Sequence, residues 1–375
     1  MKVSYLFGEN ELILRTPNVL SHLMYIFVSF LLVTKLKGYF FQISAFLSLN
    51  LSLPLLEFFS LARGYGISHS FLLVSIYFLH EFIHNSGERI WIKSALATFF
   101  ASLSVLGNFT VINYLIGLNA LLLIICYQRS LPTGFFLGFS KLKSSLANAW
   151  PILLYSIFFT FFSSVWLMEL KNRGELYFGG KDGLWESIFI SIINFSYYGH
   201  PPHVAIISFL PFFLLFIVLL LIAVLIWDYF VKKEPTFHSS LWLIVIFSVA
   251  LSYIQHIVFK TPYPKDRTAL FYLILVIVST IFALNRSAFF QRSISKFAGN
   301  CLISVMTILV IVGFFRGANL TRSFSYGEDM CTKEMMRDLY CESQYSEPSH
   351  LGVNWLFEPA SNFYREAYKM ESWMN

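Results

Sequence analysis

A chain of 375 residues with 57% hydrophobic and only 13% charged side chains is not an ordinary water-soluble domain, in which about a quarter of residues are charged. Its mean hydropathy is +0.64, and its 42 phenylalanines and 20 tyrosines exceed what one soluble core takes up, whereas aromatic side chains suit lipid-facing helices and membrane interfaces. The net charge of +6 is spread over short segments between apolar runs, which excludes a nucleic-acid surface and points to topology and anionic lipid headgroups.

A spanning helix needs about 20 mostly apolar residues. About ten segments meet that need in chain order: 18–33, 39–59, 68–83, 93–107 and 109–127, then 150–168, 204–230, 240–259, 268–284 and 300–315. The expected fold is therefore an all-α polytopic membrane protein. The membrane domain covers residues 18–315, with a polar segment 1–17 before it and a small polar C-terminal domain 316–375 after it. The third and fourth segments are short, and the tight Gly107-Asn108 junction also fits a re-entrant hairpin.

Loop charge predicts orientation. Lys35/Lys37, Arg89/Lys93, Arg129/Lys141/Lys143, Lys232/Lys233 and Arg286/Arg292/Lys296 fall in every second loop. The alternate loops hold Arg63 alone, no cation at Gly107-Asn108, the mixed stretch 171–182, and 260–267. The positive-inside rule assigns the first set to the cytoplasm, which places residues 1–17, the loop 169–203 and the chain after about 316 outside, in the manner of a bacterial inner-membrane protein. A chain that starts outside with a polar segment and no signal peptide is expected to lack a preceding helix and loop. In the external tail, Cys331 and Cys341 are expected to form a disulfide, with two unpaired thiols as the alternative, while Cys126 and Cys301 fall at spans as packing residues. Residues 185–198 of the long external loop carry apolar positions at helical spacing, which predicts an amphipathic helix on the membrane surface.

Three constellations carry chemistry. The first runs Pro54-Leu55-Leu56-Glu57 to Ala62-Arg63-Gly64-Tyr65-Gly66 at the external face. Ionisable groups at membrane depth are costly, so Glu57 and Arg63 are expected to pair or to face a polar cavity, with Arg63 and Tyr65 suited to gripping a phosphate. The alternative is an interfacial Arg-Tyr anchor. The second is Lys260-Thr261-Pro262-Tyr263-Pro264-Lys265-Asp266-Arg267, a proline-stiffened loop that crowds cations around one carboxylate and offers a lipid-linked phosphate a basic seat. The competing reading is a solvated turn facing headgroups. Gln255 and His256, one turn earlier, fit either a polar cavity or satisfied interhelical hydrogen bonds. The third is His80-Glu81-Phe82-Ile83-His84, a literal HExxH pattern that would place two zinc ligands on one helix face with Glu81 as general base. No convincing third ligand accompanies it, although Glu88 lies one turn on. No P-loop, GxGxxG, nucleophile elbow or CxxC pair is present in the sequence.

The Ala62-Arg63-Gly64-Tyr65 stretch resembles the element that opens an external span in GT-C membrane glycosyltransferases, among them protein O-mannosyltransferases and lipid A aminoarabinose transferases. Leu6-Phe7-Gly8-Glu9 with Leu14-Arg15-Thr16-Pro17, Pro264-Lys265-Asp266-Arg267 leading to Tyr272, and the tail from Val353-Asn354-Trp355 to Asn362-Phe363-Tyr364 are similar to further elements of that superfamily, in the same order. The resemblance implies transfer of a sugar from a polyprenyl-phosphate donor to an extracytoplasmic acceptor. Arg63, Tyr65, Lys265 and Arg267 would hold the donor phosphate, and Glu57, Asp266 and His256 would support them. The family's catalytic acid, a base or a ligand for a divalent metal, lies in the first external loop. Glu9 and Glu11 do not match its spacing, so it has no counterpart here and the chain is expected to be a truncated or inactive member. A non-enzymatic lipid carrier or assembly subunit shares this topology and stands as the alternative, with the HExxH zinc protease as a minor one.

Overall fold

The computed structural model describes residues 11–61, 63–84, 90–130, 236–287, 293–318, 331–343 and 357–368, parts of 155–173 and 179–196, and a few isolated positions. The described residues are helical, with no strand among them and one isolated bridge between Gly180 and Tyr263. The helices are α1 (Glu11–Val33), α2 (Tyr39–Asn50), α3 (Leu53–Ser60), α4 (Gly64–His84), α5 (Ile90–Gly107) and α6 (Ile112–Ser130). They continue as α7 (Ser191–Ser196), α8 (Phe237–Phe259), α9 (Leu270–Arg286), α10 (Ser293–Gly317), α11 (Thr332–Ser343) and α12 (Glu358–Ala367).

Six helices among the described residues are long and apolar enough to cross a bilayer: Ile13–Val33, Gly64–His84, Phe109–Cys126, Phe237–Phe259, Asp266–Arg286 and Ser295–Gly317. The chain is thus an all-α protein of membrane type. The expected single span 39–59 is instead two helices, α2 and α3, bent by 51° at Leu51-Ser52. Pro54 explains the break, because its ring would clash with the preceding turn of a continuous helix and it has no N–H to donate, yet it is tolerated at the start of a new one. Counted as one span, the pair raises the number to seven. The expected span 93–107 lies in α5, whose apolar part Trp91–Gly107 is about 26 Å long, short of a bilayer core of about 30 Å. Residues 157–170, described in part, are a shorter apolar helix. The expected span 204–230 lies almost wholly outside the described residues.

The chain divides into two compact units. In the first, Asn18–Arg316, α9 is the buried axis, with 83% of its apolar window enclosed against 11% for α10. The outward faces of α8 and α10 carry Phe247, Val258, Leu309 and Phe315, apolar side chains that suit lipid. Helices α4 and α5 form the closest pair. A β-carbon on Gly64 would lie 2.7 Å from the Gly107 carbonyl oxygen, and one on Gly107 would lie 2.6 Å from that of Gly64. One turn inward, the Ser68 hydroxyl donates to the Ser104 carbonyl and the Ser104 hydroxyl to the Ser68 carbonyl, each at 2.8 Å. Ser75 then donates to the Ala97 carbonyl at 2.7 Å. Small residues that admit close backbones and hydroxyls that bond across them are the means of helix association where lipid removes the hydrophobic drive.

The second unit comprises Met1–Pro17 and Gly317–Asn375. Its described centre is Glu11, which accepts a hydrogen bond from the Tyr364 hydroxyl at 3.0 Å and pairs with Lys333 at 2.6 Å and Arg15 at 3.6 Å. Met336 and Met370 are buried beside Tyr364 and Tyr368. Burial raises the Glu11 pKa, but the hydrogen bonds from Lys333 and Tyr364 and the two positive charges outweigh it, leaving the carboxyl below its ordinary value. The Lys333 ammonium is correspondingly raised by the same bond. Lys333 is 54% exposed, so solvent screening limits the pair to about 0–1 kcal/mol.

The expected outcomes are two. Gly107→Ala lowers the thermal midpoint of the detergent-solubilised protein, at a cost of about 1–3 kcal/mol, whereas Gly313→Ala, inside α10 with no atom within 4 Å of the new carbon, does not lower it. Because the folded Glu11 value lies below the unfolded one, its contribution is complete above about pH 4.5 and is lost as pH falls through the folded value. Hydrogen-exchange protection of α11 and α12 should therefore fall on acidification below about pH 4.5. Glu11→Gln should show the reduced protection at neutral pH and lose that acid step.

Candidate functional site

At the Gly64/Gly107 end of the bundle, the residues of the first constellation sit on a turn fixed from α1. Asn18, 2% exposed, donates through its amide to the Leu61 carbonyl and, at 2.7 Å, to the Arg63 carbonyl. Arg63 is exposed. Tyr65 meets the edge of Phe58 with ring centroids 5.1 Å apart, and Glu57, next to Phe58 on α3, is 5% exposed. The chain must pass close to α3 here, since a β-carbon on Gly66 would lie 2.6 Å from the Phe58 carbonyl oxygen.

The second constellation forms a rigid turn into α9. Asp266 adopts a left-handed backbone, φ 49°, a conformation that costs a non-glycine residue about 1–3 kcal/mol and persists where surrounding contacts fix it. Those contacts are present. The Asp266 N–H donates to the Ser191 hydroxyl at 3.0 Å, the Lys265 N–H donates to the Thr268 hydroxyl at 2.8 Å, and that hydroxyl returns to the Lys265 carbonyl at 2.8 Å. The Thr268 carbonyl accepts from Thr110 at 2.6 Å and from the Asn108 amide at 3.4 Å. His256 donates to the Thr261 carbonyl at 2.8 Å and stacks on Tyr263 at 4.2 Å, so it braces this loop. Gly180 and Tyr263 exchange backbone hydrogen bonds of 2.9 and 3.0 Å.

A closed circuit of contacts results. The Arg63–Gly66 segment touches Gly107, Asn108 and Thr110 hold Thr268, Asp266 holds Ser191, Phe195 stacks on Phe58 at 6.2 Å, and Phe58 returns to Tyr65. Segments far apart in sequence, bearing Arg63 and Tyr65 on one side and Lys265, Asp266 and Arg267 on the other, therefore bound the same end of the unit. Cations on rigid backbone around a polar rim suit phosphate oxygens.

Within the 185–198 segment the described residues are helical, as a π-helical turn Trp185–Ile190 running into α7. Ser187, Ile188, Ser191 and Phe195 are buried against the bundle end, because small side chains there allow close approach and Phe195 finds an aromatic partner in Phe58. Cys331 and Cys341 are free thiols rather than a disulfide. They stand at the start and near the end of α11, about 15 Å apart along one helix, far beyond the reach of a disulfide.

The HExxH residues occupy the other end of α4. Glu81 pairs with Lys35 at 2.8 Å and Lys93 at 3.7 Å, and His80 Nδ1 lies 3.6 Å from it. The His80 and His84 rings stack face to face at 4.1 Å, with Phe237 4.8 Å and Phe282 5.6 Å from His80. His84 Nδ1 bonds back to the His80 carbonyl at 3.1 Å. This is a packed, ion-paired helix face rather than a convergent ligand set. Among the described residues no group of three His, Cys, Asp or Glu comes together, and Glu88 lies outside them.

No protein-family model, curated protein or solved structure matches the chain. Sequence reasoning missed Asn18, Asn108, Thr110 and Ser191, the residues that tie the loops together. A lone amide inside an apolar run and an Asn-x-Thr cap after Gly107 were the available signals. Thr110→Val should remove the shorter of the two side-chain hydrogen bonds to the Thr268 carbonyl, at a cost of about 1 kcal/mol. Faster hydrogen exchange over residues 265–270, with α8 unaffected, is the expected readout.

Proposed function

We propose that this protein is a GT-C-type membrane glycosyltransferase or a close derivative of one. It would bind a polyprenyl-phosphate sugar at the Gly64/Gly107 end of its bundle and serve an extracytoplasmic acceptor. The observation that supports this reading is the circuit of contacts joining the Arg63–Gly66 segment to the Lys265–Thr268 turn. The two stretches that resemble the family's donor-binding elements bound the same end of the unit, although about 200 residues separate them. The loop cations of the sequence would put this end, and both termini, on the outer face of a bacterial cytoplasmic membrane.

In this reading Arg63 and Arg267 neutralise the donor phosphate, with Tyr65 and Lys265 as further donors, while Glu57, Asp266 and His256 orient them. The bond from the sugar's anomeric carbon to the phosphate oxygen breaks, a bond from that carbon to the acceptor oxygen forms, and the acceptor proton passes to a base. The arginines act on the leaving group, whose growing negative charge fixed cations stabilise. Any divalent metal would act at the same phosphate.

Arg63→Ala and Arg267→Ala are each expected to lower sugar transfer from a polyprenyl-phosphate donor in proteoliposomes about 100-fold. Unchanged turnover in both variants rejects the assignment. Donor lipid held by the wild-type chain without any transfer would instead identify the non-enzymatic lipid carrier.

A further inference from the structure

The end of the bundle opposite Arg63 carries a second charged cluster that sugar transfer does not use. Its frame is the turn 34–38 between α1 and α2, which is fixed by the last residues of α9. The Asn285 side-chain amide accepts from the Lys37 N–H and donates to the Lys37 carbonyl, both at 2.8 Å. Arg286 donates to the Lys35 carbonyl. The Lys35 ammonium passes over the Tyr77 ring, 5.7 Å from its centroid, to reach Glu81 on α4 at 2.8 Å. Glu81 also takes Lys93 of α5 at 3.7 Å. Lys35, Lys37, Lys93 and Arg286 thus lie on elements bonded to one another, and Glu81 is the carboxylate with which two of them pair.

The environment of this cluster is equally specific. The Lys35 and Lys93 side chains remain 34% and 28% exposed despite their pairing, and Lys37 is exposed. Tyr39, 83% exposed, and Trp91, 58% exposed, stand at the starts of α2 and α5 beside these lysines in sequence. Exposed Tyr and Trp at helix ends settle at headgroup level. The cluster is therefore bracketed by the aromatic residues that mark a bilayer interface, and it sits between helix ends on rigid backbone. Basic pockets of that kind between transmembrane helices bind anionic headgroups. A solvated patch of loop lysines would have neither the amide clamp on Lys37 nor a shared internal counter-ion.

We propose that the Lys35–Lys37 turn, with Lys93 and Arg286, is a headgroup site for an anionic phospholipid. Glu81 serves as the internal counter-ion that aligns Lys35 and Lys93 and moderates binding. Phosphodiester oxygens are met by the ammonium groups, while the acyl chains run along the apolar surface of the neighbouring helices. The site stands apart from the sugar-transfer reading, which concerns the other end of the unit. It also gives the HExxH stretch a role through Glu81 that needs no metal.

The test uses the full chain in nanodiscs of phosphatidylcholine doped with phosphatidylglycerol. Each variant is made in an Arg63→Ala background, so that lipid held at the opposite end contributes less. Enrichment of phosphatidylglycerol around the protein is read by native mass spectrometry after gentle extraction. The unmodified cluster is expected to retain phosphatidylglycerol over phosphatidylcholine, and Lys37→Gln with Lys93→Gln to weaken that preference about fivefold for each cation removed. Lys37→Gln alone keeps the turn, which is held through its backbone, and should show the single fivefold loss if the double variant fails to fold. Glu81→Gln carries the opposite sign: with their counter-ion gone, Lys35 and Lys93 should hold phosphatidylglycerol more tightly. Equal retention of the two lipids, no loss in the lysine variants, or no gain in Glu81→Gln overturns the proposal. Displacement of the lipid by glycerol phosphate at matched concentration would show a free-phosphate site and equally defeat it.

Discussion

Helices α4 and α5 approach so closely at Gly64 and Gly107 that a β-carbon on either would strike the other's carbonyl oxygen, and the rest of their pairing is registered to that crossing. In lipid, two apolar helices gain little from burying leucine against leucine, so contact must come from close backbones and exchanged hydrogen bonds. The pair shows both along its whole length. Glycines meet at one end, Ser68 and Ser104 trade hydroxyls one turn in, Ser75 reaches the Ala97 carbonyl at mid-depth, and Glu81 meets Lys93 at the far end. Slipping α5 by one residue would break all of these contacts together. The crossing thus fixes two charged ends at once, Arg63 beside Asn108 at one and Glu81 beside Lys93 at the other.

Hydropathy reveals the spans because the bilayer imposes length and apolarity residue by residue. It misplaces their ends where polar residues are satisfied by partners that the sequence does not display. The expected start at Ser68 falls four residues late, since Gly64, Ser68, His69 and Ser70 lower the local hydropathy, yet Ser68 and Ser70 bond to Ser104 and Ser21 within the packed unit. The expected start at 240 falls three residues late as well, although Thr236-x-x-Ser239 is a capping box and both of its hydrogen bonds form. The break between α2 and α3 was also written in the chain, at Pro54, but a uniformly apolar stretch hides a bend from any scale that sums hydrophobicity.

The candidate site divides in the same way. Arg63, Tyr65, Asp266 and Arg267 were visible as ionisable or hydroxyl groups where a membrane protein seldom places them. Their common location was not visible, because it depends on weak local signals acting across long intervals: Asn18 on the 61–63 turn, Thr110 on Thr268, and Ser191 on Asp266. An amide or hydroxyl inside an apolar run declares that it needs a partner without declaring which one. The left-handed Asp266 is equally silent in sequence, since nothing local requires it and only the surrounding hydrogen bonds hold it.

The HExxH stretch shows why spacing alone is a poor guide to chemistry. An i, i+4 pair of histidines shares a helix face whatever that face meets, and a zinc site needs their ring nitrogens to converge on one point. Here α9 and the start of α8 supply Phe282 and Phe237, which pack against His80, and the face-to-face stack turns the imidazoles into a hydrophobic layer. Glu81 then pairs with the lysines of the turn after α1 and of the first turn of α5. The same side chains with an open cavity beside them would present a base and two ligands. What neighbours the helix decides between those outcomes, and that information enters with tertiary packing rather than with the motif.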